Sequence, residues 1–382
     1  MIRYSEQHID QKDISKVIKT LKSDFITTGP QISLFEKNLS RKIETKYSVV
    51  FNSATSALHS ACLALGLKKN DRLWTSANSF VASSNCGLYC GAKIDFIDIE
   101  LDTFNIDLQK LEKKLSEAKK KNTLPKIVVP IAFAGHSCDI DYLIGLSKKY
   151  KFKIIQDASH GLGAKYKKKY LGNHKDIITV FSFHPVKMIT TGEGGSAHTD
   201  NKKYFNLMKS ICSHGIVRNK KNLNNGINHL LYDQKYLGFN YRLTDIQASL
   251  GVSQLKKLSI FVKKRREIAK IYNKYLDKSK LSLPVEKDYI KSSFHLYVVL
   301  IRNNKNNLRN KLIHYLKKQG IYTNIHYKPI HLQTYYKKLG FKKNDFKNAE
   351  FYYERALSLP IHPNLKKKEL MLIIKKINNF LR

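Results

Sequence analysis

Between residues 47 and 183, strand-length apolar runs alternate with segments of helical periodicity. The runs fall at 47–51, 71–75, 94–99, 126–133, 152–157 and 177–183, and helical segments at 55–65, 80–89, 108–119 and 140–150 separate most of them. Parallel strands need crossover connections, usually helices, so this alternation predicts an α/β fold with a mainly parallel sheet flanked by helices on both faces. From about Thr244 the pattern changes. A helical stretch runs to about Lys278 with a break near Ser259, and then come a strand at 294–301, a helix at 307–319, a strand at 322–325 and a terminal helix at 367–380. This predicts a smaller C-terminal α+β domain. The expected division is an N-terminal segment at 1–30 lying near the site and the small domain, a large domain at 31–257 and a small one at 258–382.

The 382 residues, 42% of them hydrophobic, can supply a large core and a small one. No apolar run reaches membrane-spanning length, and the start, Met1-Ile2-Arg3-Tyr4-Ser5-Glu6, lacks the apolar stretch of a secretory signal. A cytoplasmic protein without membrane partners is expected. The net charge of +39 invites a nucleic-acid reading, but the lysines are spread over the whole chain, at 68–69, 119–121, 167–169 and 366–368 among others. A binding stripe or basic tail would concentrate them, so no nucleic-acid partner is expected. The five cysteines are odd in number and form no CxxC pair. Cys86 and Cys90, one helical turn apart, are either half a metal site or two small buried residues on one face; no metal is expected.

Ligands of parallel α/β sheets gather at the carboxyl ends of the strands. After the first run comes Asn52-Ser53-Ala54-Thr55-Ser56-Ala57-Leu58, a polar turn entering a helix. It reads as an anion site at a helix N-terminus or as plain capping. Asp157 ends the fifth run and is followed by Ala158-Ser159-His160. A carboxylate there either caps the turn or pairs with a protonated ring nitrogen. Phe80, placed at a helix start, suits stacking on a planar cofactor or ordinary core packing. After the sixth run lies His184-Pro185-Val186-Lys187, then Thr190-Thr191-Gly192-Glu193-Gly194-Gly195. Lys187 stands among apolar neighbours beside a glycine turn. Desolvation lowers an amine's pKa and suits it to Schiff-base chemistry.

In this order, these stretches resemble the nucleotide-sugar aminotransferases of the fold type I, pyridoxal-phosphate-dependent class. Gly238-Phe239-Asn240-Tyr241-Arg242-Leu243-Thr244-Asp245, His326-Tyr327-Lys328-Pro329-Ile330-His331 and Leu359-Pro360-Ile361-His362-Pro363 extend the likeness to the end of the chain. The resemblance implies pyridoxal 5'-phosphate as cofactor, held by Lys187 through a Schiff base, with Lys187 later shuttling the proton. Asp157 would keep the pyridinium nitrogen protonated. Ala54, Thr55 and Ser182 would bind the phosphate, and Phe80 would stack on the ring. His160 would orient Asp157 or the ring oxygen. Asn240 and Arg242 would reach the phosphate of a neighbouring subunit, which implies a homodimer with shared sites. Ala77, Ser79 and Ser159 depart from the usual pattern without removing a reactive group.

Residues 2–9 and 23–30 look most like the family members that aminate C4 of UDP-4-keto-6-deoxy-N-acetyl-L-altrosamine in pseudaminic acid synthesis, with L-glutamate as donor. That likeness implies Thr27, Thr28 and Gly29 near the sugar pocket; His326, Tyr327 and His331 are further substrate candidates from position. The competing readings are an aminotransferase for another nucleotide-linked 3- or 4-keto sugar, a non-catalytic regulator on the same fold and a basic nucleic-acid binder.

Overall fold

The computed structural model describes residues 1–217 and 232–382. Seven strands form the central sheet: β1 (Tyr47–Phe51), β2 (Arg72–Ser76), β3 (Lys93–Ile97), β4 (Ile127–Val129), β5 (Lys153–Asp157), β6 (Ile177–Ser182) and β7 (Gly195–Thr199). Their spatial order is β1-β7-β6-β5-β4-β2-β3. The ladders from β6 through β5, β4 and β2 to β3 are all parallel, whereas β7 runs antiparallel to both β6 and β1. The sheet is therefore mainly parallel, with one reversed strand.

Alternation along each strand decides which side chain enters which core layer. Val50, Val128, Ile154 and Ile177 point to one layer, with Phe35, Leu115 and Leu143 from helices α2 (Pro30–Ile43), α5 (Leu108–Lys120) and α6 (Ile140–Tyr150). Their neighbours Val49, Ile127, Ile155 and Ile178 point to the other, with Leu58, Cys86 and Met208 from α3 (Ala54–Ala64), α4 (Ala82–Tyr89) and α7 (Lys202–Cys212). Cys86 is thus core, and its thiol donates to the Ser83 carbonyl at 3.4 Å; the half-buried Cys90 thiol donates to the Cys86 carbonyl, also at 3.4 Å. No group of three or more metal-ligating side chains gathers among the described residues, and no helix among them is long and apolar enough to cross a membrane.

The helical stretch after Thr244 divides into Asp245–Leu255 and Leu258–Tyr275. The remaining C-terminal part packs a three-stranded antiparallel sheet, with Leu281–Ser282 and Ala356–Leu359 on either side of Tyr297–Ile301, against Leu308–Lys318 and Lys367–Leu381. The strand expected at 322–325 is not a strand. There Tyr322 donates to the Ile2 carbonyl at 2.8 Å and Asn324 exchanges a single bridge with Ser358. Its backbone donors are divided between two neighbours, so no continuous ladder forms. The chain start is tied to this region: Ile361 N donates to the Tyr4 carbonyl at 3.0 Å, and Ser5 Oγ donates to the Val186 carbonyl at 3.1 Å.

Candidate active site

A cavity of about 570 Å³ opens at the carboxyl ends of β1, β2, β5 and β6. Its wall takes Ser53, Ala54 and Thr55 from the β1–α3 turn, Ser79 and Phe80 from the loop after β2, Asp157 from β5 and Ser182 from β6. Lys187 enters from the loop joining β6 to β7. His295, Asn324, His326 and Tyr327 close the cavity from the C-terminal part, and Tyr4 closes it from the chain start.

The β6–β7 loop is pinned at its base. Phe183 N donates to the Gly194 carbonyl at 2.9 Å, and Thr191 N donates to the Phe183 carbonyl at 3.0 Å. This hairpin return reverses β7 and projects Lys187 over the strand ends. Burial lowers the Lys187 amine to about 8, and the Asp157 carboxylate opposes that shift without cancelling it.

Asp157 is buried but not unpartnered. Its Oδ2 accepts from Ser83 Oγ at 2.6 Å, and its Oδ1 accepts from the Ser159 hydroxyl at 2.6 Å and the Ser159 amide at 3.0 Å. Ser83 spends its one hydroxyl proton on Asp157, so the 2.7 Å contact with Ser79 has Ser79 as donor. Three hydrogen bonds partner both oxygens and leave the carboxylate on the cavity wall as an acceptor. His160 does not orient Asp157. Its Nδ1 accepts from the Ala134 amide at 3.3 Å and its Nε2 lies 3.1 Å from the Tyr327 hydroxyl. Asp157 is already occupied by two serines, which corrects that part of the expectation.

At the β1–α3 turn, Ser53 caps the helix by accepting from Ser56 N at 3.1 Å, which leaves the amides at Ala54 and Thr55 facing the cavity side of an eleven-residue helix. The capping and anion readings of this turn are therefore compatible. Gly195 makes the geometry possible, because a side chain there would run into the backbone of Ser53 and Ala54. Gly195→Ala is expected to cost about 1–3 kcal/mol through overpacking and to weaken cofactor retention. Thermal denaturation with and without added cofactor checks both effects; an unchanged melting temperature would contradict the close-packing account.

Phe80 precedes α4 instead of starting it; the residue is 56% exposed, and its ring lies 6.0 Å from that of Tyr327. Core packing is thereby excluded for Phe80. Asn240 is exposed outside the cavity, its carbonyl accepting from Asn52 Nδ2 at 3.3 Å, and Arg242 donates to Ser213 Oγ at 3.2 Å. Thr27, Thr28 and Gly29 also lie outside the cavity wall, fixed to the start of the 245–255 helix: the Thr27 carbonyl accepts from Asp245 N at 2.8 Å, and Gly29 packs on the Asp245 side chain. His331 has no open face. It is fully buried, with its Nε2 at 2.9 Å from Glu350, and does not line the cavity; it is a core histidine.

Sequence reasoning singled out neither Ser83 and Ser159 as partners of Asp157 nor Tyr4 and His295 as wall residues. The Asp-x-Ser spacing of 157–159 carries a local turn pattern that could have indicated Ser159. Tyr4 and His295 arrive through long-range packing and leave no such trace.

The cavity fits pyridoxal phosphate. A desolvated amine, a buried acceptor carboxylate, free amides at a helix N-terminus beside the Ser182 hydroxyl, and an exposed aromatic face match the aldehyde, ring nitrogen, phosphate and ring plane in turn. Comparison with known proteins agrees. Residues 7–378 match the model of the DegT/DnrJ/EryC1/StrS aminotransferase family. The UDP-4-amino-4,6-dideoxy-N-acetyl-beta-L-altrosamine transaminase of Campylobacter jejuni is 41% identical over 370 residues, 97% of this chain and 94% of that one. Among solved structures, Spr1654 of Streptococcus pneumoniae in its PMP form superposes with a TM-score of 0.93 at 30% identity, covering 100% of this chain and 99% of that one. Helicobacter pylori PseC, an aminotransferase of pseudaminic acid biosynthesis, gives 0.90 at 33%, with the same coverage. The chain belongs to the DegT/DnrJ/EryC1/StrS aminotransferase family and is a pyridoxal-phosphate-dependent aminotransferase.

Proposed function

We propose that this enzyme moves the amino group of L-glutamate to the C4 keto group of UDP-4-keto-6-deoxy-N-acetyl-L-altrosamine, the amination step of pseudaminic acid synthesis. The observation that carries the reading is the Lys187 amine, lowered to about 8 and facing the same cavity as Asp157, in a chain matched over nearly its whole length by altrosamine transaminases. Pyridoxal phosphate supplies an electron sink that stabilises negative charge at the amino-bearing carbon. Everything else falls to the chain. Lys187 Nζ takes the α-proton of the donor and later delivers a proton to C4 of the sugar. Asp157, positioned by Ser83 and Ser159, keeps a proton on the ring nitrogen. Ala54, Thr55 and Ser182 hold the phosphate, Phe80 covers the ring face, and His326 and Tyr327 face the sugar.

The functional unit in this reading is a homodimer. Asn240 and Arg242 do not line their own cavity, in keeping with a role at the phosphate of a second copy. The threonine pair at 27–28 belongs to the same group, and a second copy would bring it toward a sugar.

Purified holoenzyme should show a visible absorbance band that bleaches with L-glutamate while 2-oxoglutarate appears. The band should return when the UDP-keto-altrosamine is added, with the 4-amino sugar identified by mass spectrometry. Recovery with a different 3- or 4-keto nucleotide sugar, but not with this one, would replace the proposed substrate. The absence of bleaching with any amino donor would remove amino transfer itself.

A further inference from the structure

The hydrogen bonds around His160 have a direction, and the direction ends at Tyr327. Residues 134–135 form a left-handed turn, with φ of 56° at Ala134 and 91° at Gly135. Only glycine serves at 135, because a Cβ there would collide with the Ser293 hydroxyl. The turn aims the Ala134 amide at His160 Nδ1, 3.3 Å away. An amide can only donate, so Nδ1 is the acceptor nitrogen and carries no proton. The ring is neutral as well: burial, with Lys187 and His326 adding to it, pushes His160 well below the ordinary histidine value. A neutral imidazole with an accepting Nδ1 has its proton on Nε2. That proton faces the Tyr327 hydroxyl at 3.1 Å.

The Tyr327 oxygen therefore accepts from His160, and its own hydrogen must go elsewhere. Among the described residues the hydroxyl's one hydrogen bond is the one to His160. Its ring lines the cavity, and its backbone is fixed by the Tyr327 amide donating to Asn78 Oδ1 at 3.2 Å. The His295 ring, 4.4 Å from that of His160, backs the arrangement, and the His295 carbonyl is held by the fully buried Arg265 at 3.0 Å.

We propose that Tyr327 is the hydrogen-bond donor the protein presents to an oxygen of the bound ligand, with His160 acting as the positioning residue that fixes the hydroxyl's direction from the Ala134 amide. The oxygen is either the ring hydroxyl of the cofactor or the keto oxygen of the sugar. Burial raises the Tyr327 hydroxyl far above its usual titration range, so it remains a donor at every working pH. The choice of a sugar oxygen rests on the proposed function; the direction of the hydrogen bonds does not.

Two measurements test this. The first is the nitrogen NMR of histidine-labelled holoenzyme, which reads the His160 tautomer without any turnover. The expected result is a protonated Nε2 and an unprotonated Nδ1; the opposite tautomer, or a doubly protonated ring, overturns the proposal. The second is Tyr327→Phe, which keeps the ring and removes only the hydroxyl. Its kcat is expected to fall about 10²- to 10³-fold, in the range of a lost oxyanion donor, with the melting temperature little changed. Slowing confined to the keto-sugar half-reaction places the acceptor on the sugar. Slowing of the glutamate half-reaction with a shifted cofactor absorbance places it on the cofactor. Wild-type rates in both halves overturn the proposal. If wild-type enzyme fails to react with glutamate or any keto sugar, the proposed function falls, while the tautomer measurement still decides the direction of the hydrogen bonds.

Discussion

Lys187→Ala should retain pyridoxal phosphate and yet turn over at least about 10⁴-fold more slowly than wild type, at the upper end of what a positioned proton-transfer group contributes. Retention follows from the phosphate end of the cavity: the amides at the start of α3 and the Ser182 hydroxyl are untouched by the substitution. The loss follows from removing the amine that captures the aldehyde and moves the proton. With its amine lowered to about 8, about a tenth of Lys187 is unprotonated at pH 7 before it captures the aldehyde. An ordinary lysine near 10.4 would offer about 200 times less. The remaining basic side chains on the cavity wall are histidines, and three of them, His160, His295 and His326, are pushed down by burial, His326 to about 3. These rings bind protons too weakly to act as the base. Stopped-flow absorbance with glutamate checks the prediction, and a variant that bleaches at the wild-type rate would show that another amine does the work.

Asp157→Asn is expected to lower kcat by about 10²- to 10⁴-fold while leaving the melting temperature within a few degrees. The amide keeps the shape and one oxygen, so one of the two serine contacts at 2.6 Å survives. What it loses is charge. A neutral amide does not hold a proton on a pyridine-type nitrogen, so the ring would withdraw electrons less strongly. The effect should fall on both half-reactions, because both depend on the same ring. A change confined to KM for the sugar would instead make Asp157 a substrate contact.

Much of this site was legible in the chain, for identifiable reasons. Most of the six parallel strands announce themselves because they are apolar runs, largely buried, alternating with helical stretches. Lys187 stood apart from a crowd of surface lysines by its apolar neighbours, and Asp157 by ending a buried strand. The reversed strand β7 was not legible: Gly195-Ser-Ala-His-Thr is too small and polar to read as a strand, and only the sheet on either side of it imposes extended backbone. His331 misled for the opposite reason. Its setting near His326 and Tyr327 is continuous in sequence, but the 3₁₀ turn at Ile330–Leu332 rotates it into the core against Glu350. The partners of Asp157 and the Ala134–His160–Tyr327 chain depend on contacts between segments far apart in sequence, which periodicity cannot express.

The hairpin return between β6 and β7 couples two anchors that are chemically unrelated. Its loop carries Lys187, its descending strand begins at Gly195, and Gly195 lies against the first residues of α3. A fluctuation that unzips this ladder would free the amine and dismantle the phosphate cradle together. Release of the cofactor and local melting of this side of the sheet are then one thermodynamic event, so occupancy by the cofactor raises the free energy of opening this region by mass action. The vitamin-derived group thus serves as a structural rivet as well as a reagent, and the shelf life of the enzyme is tied to the supply of its cofactor.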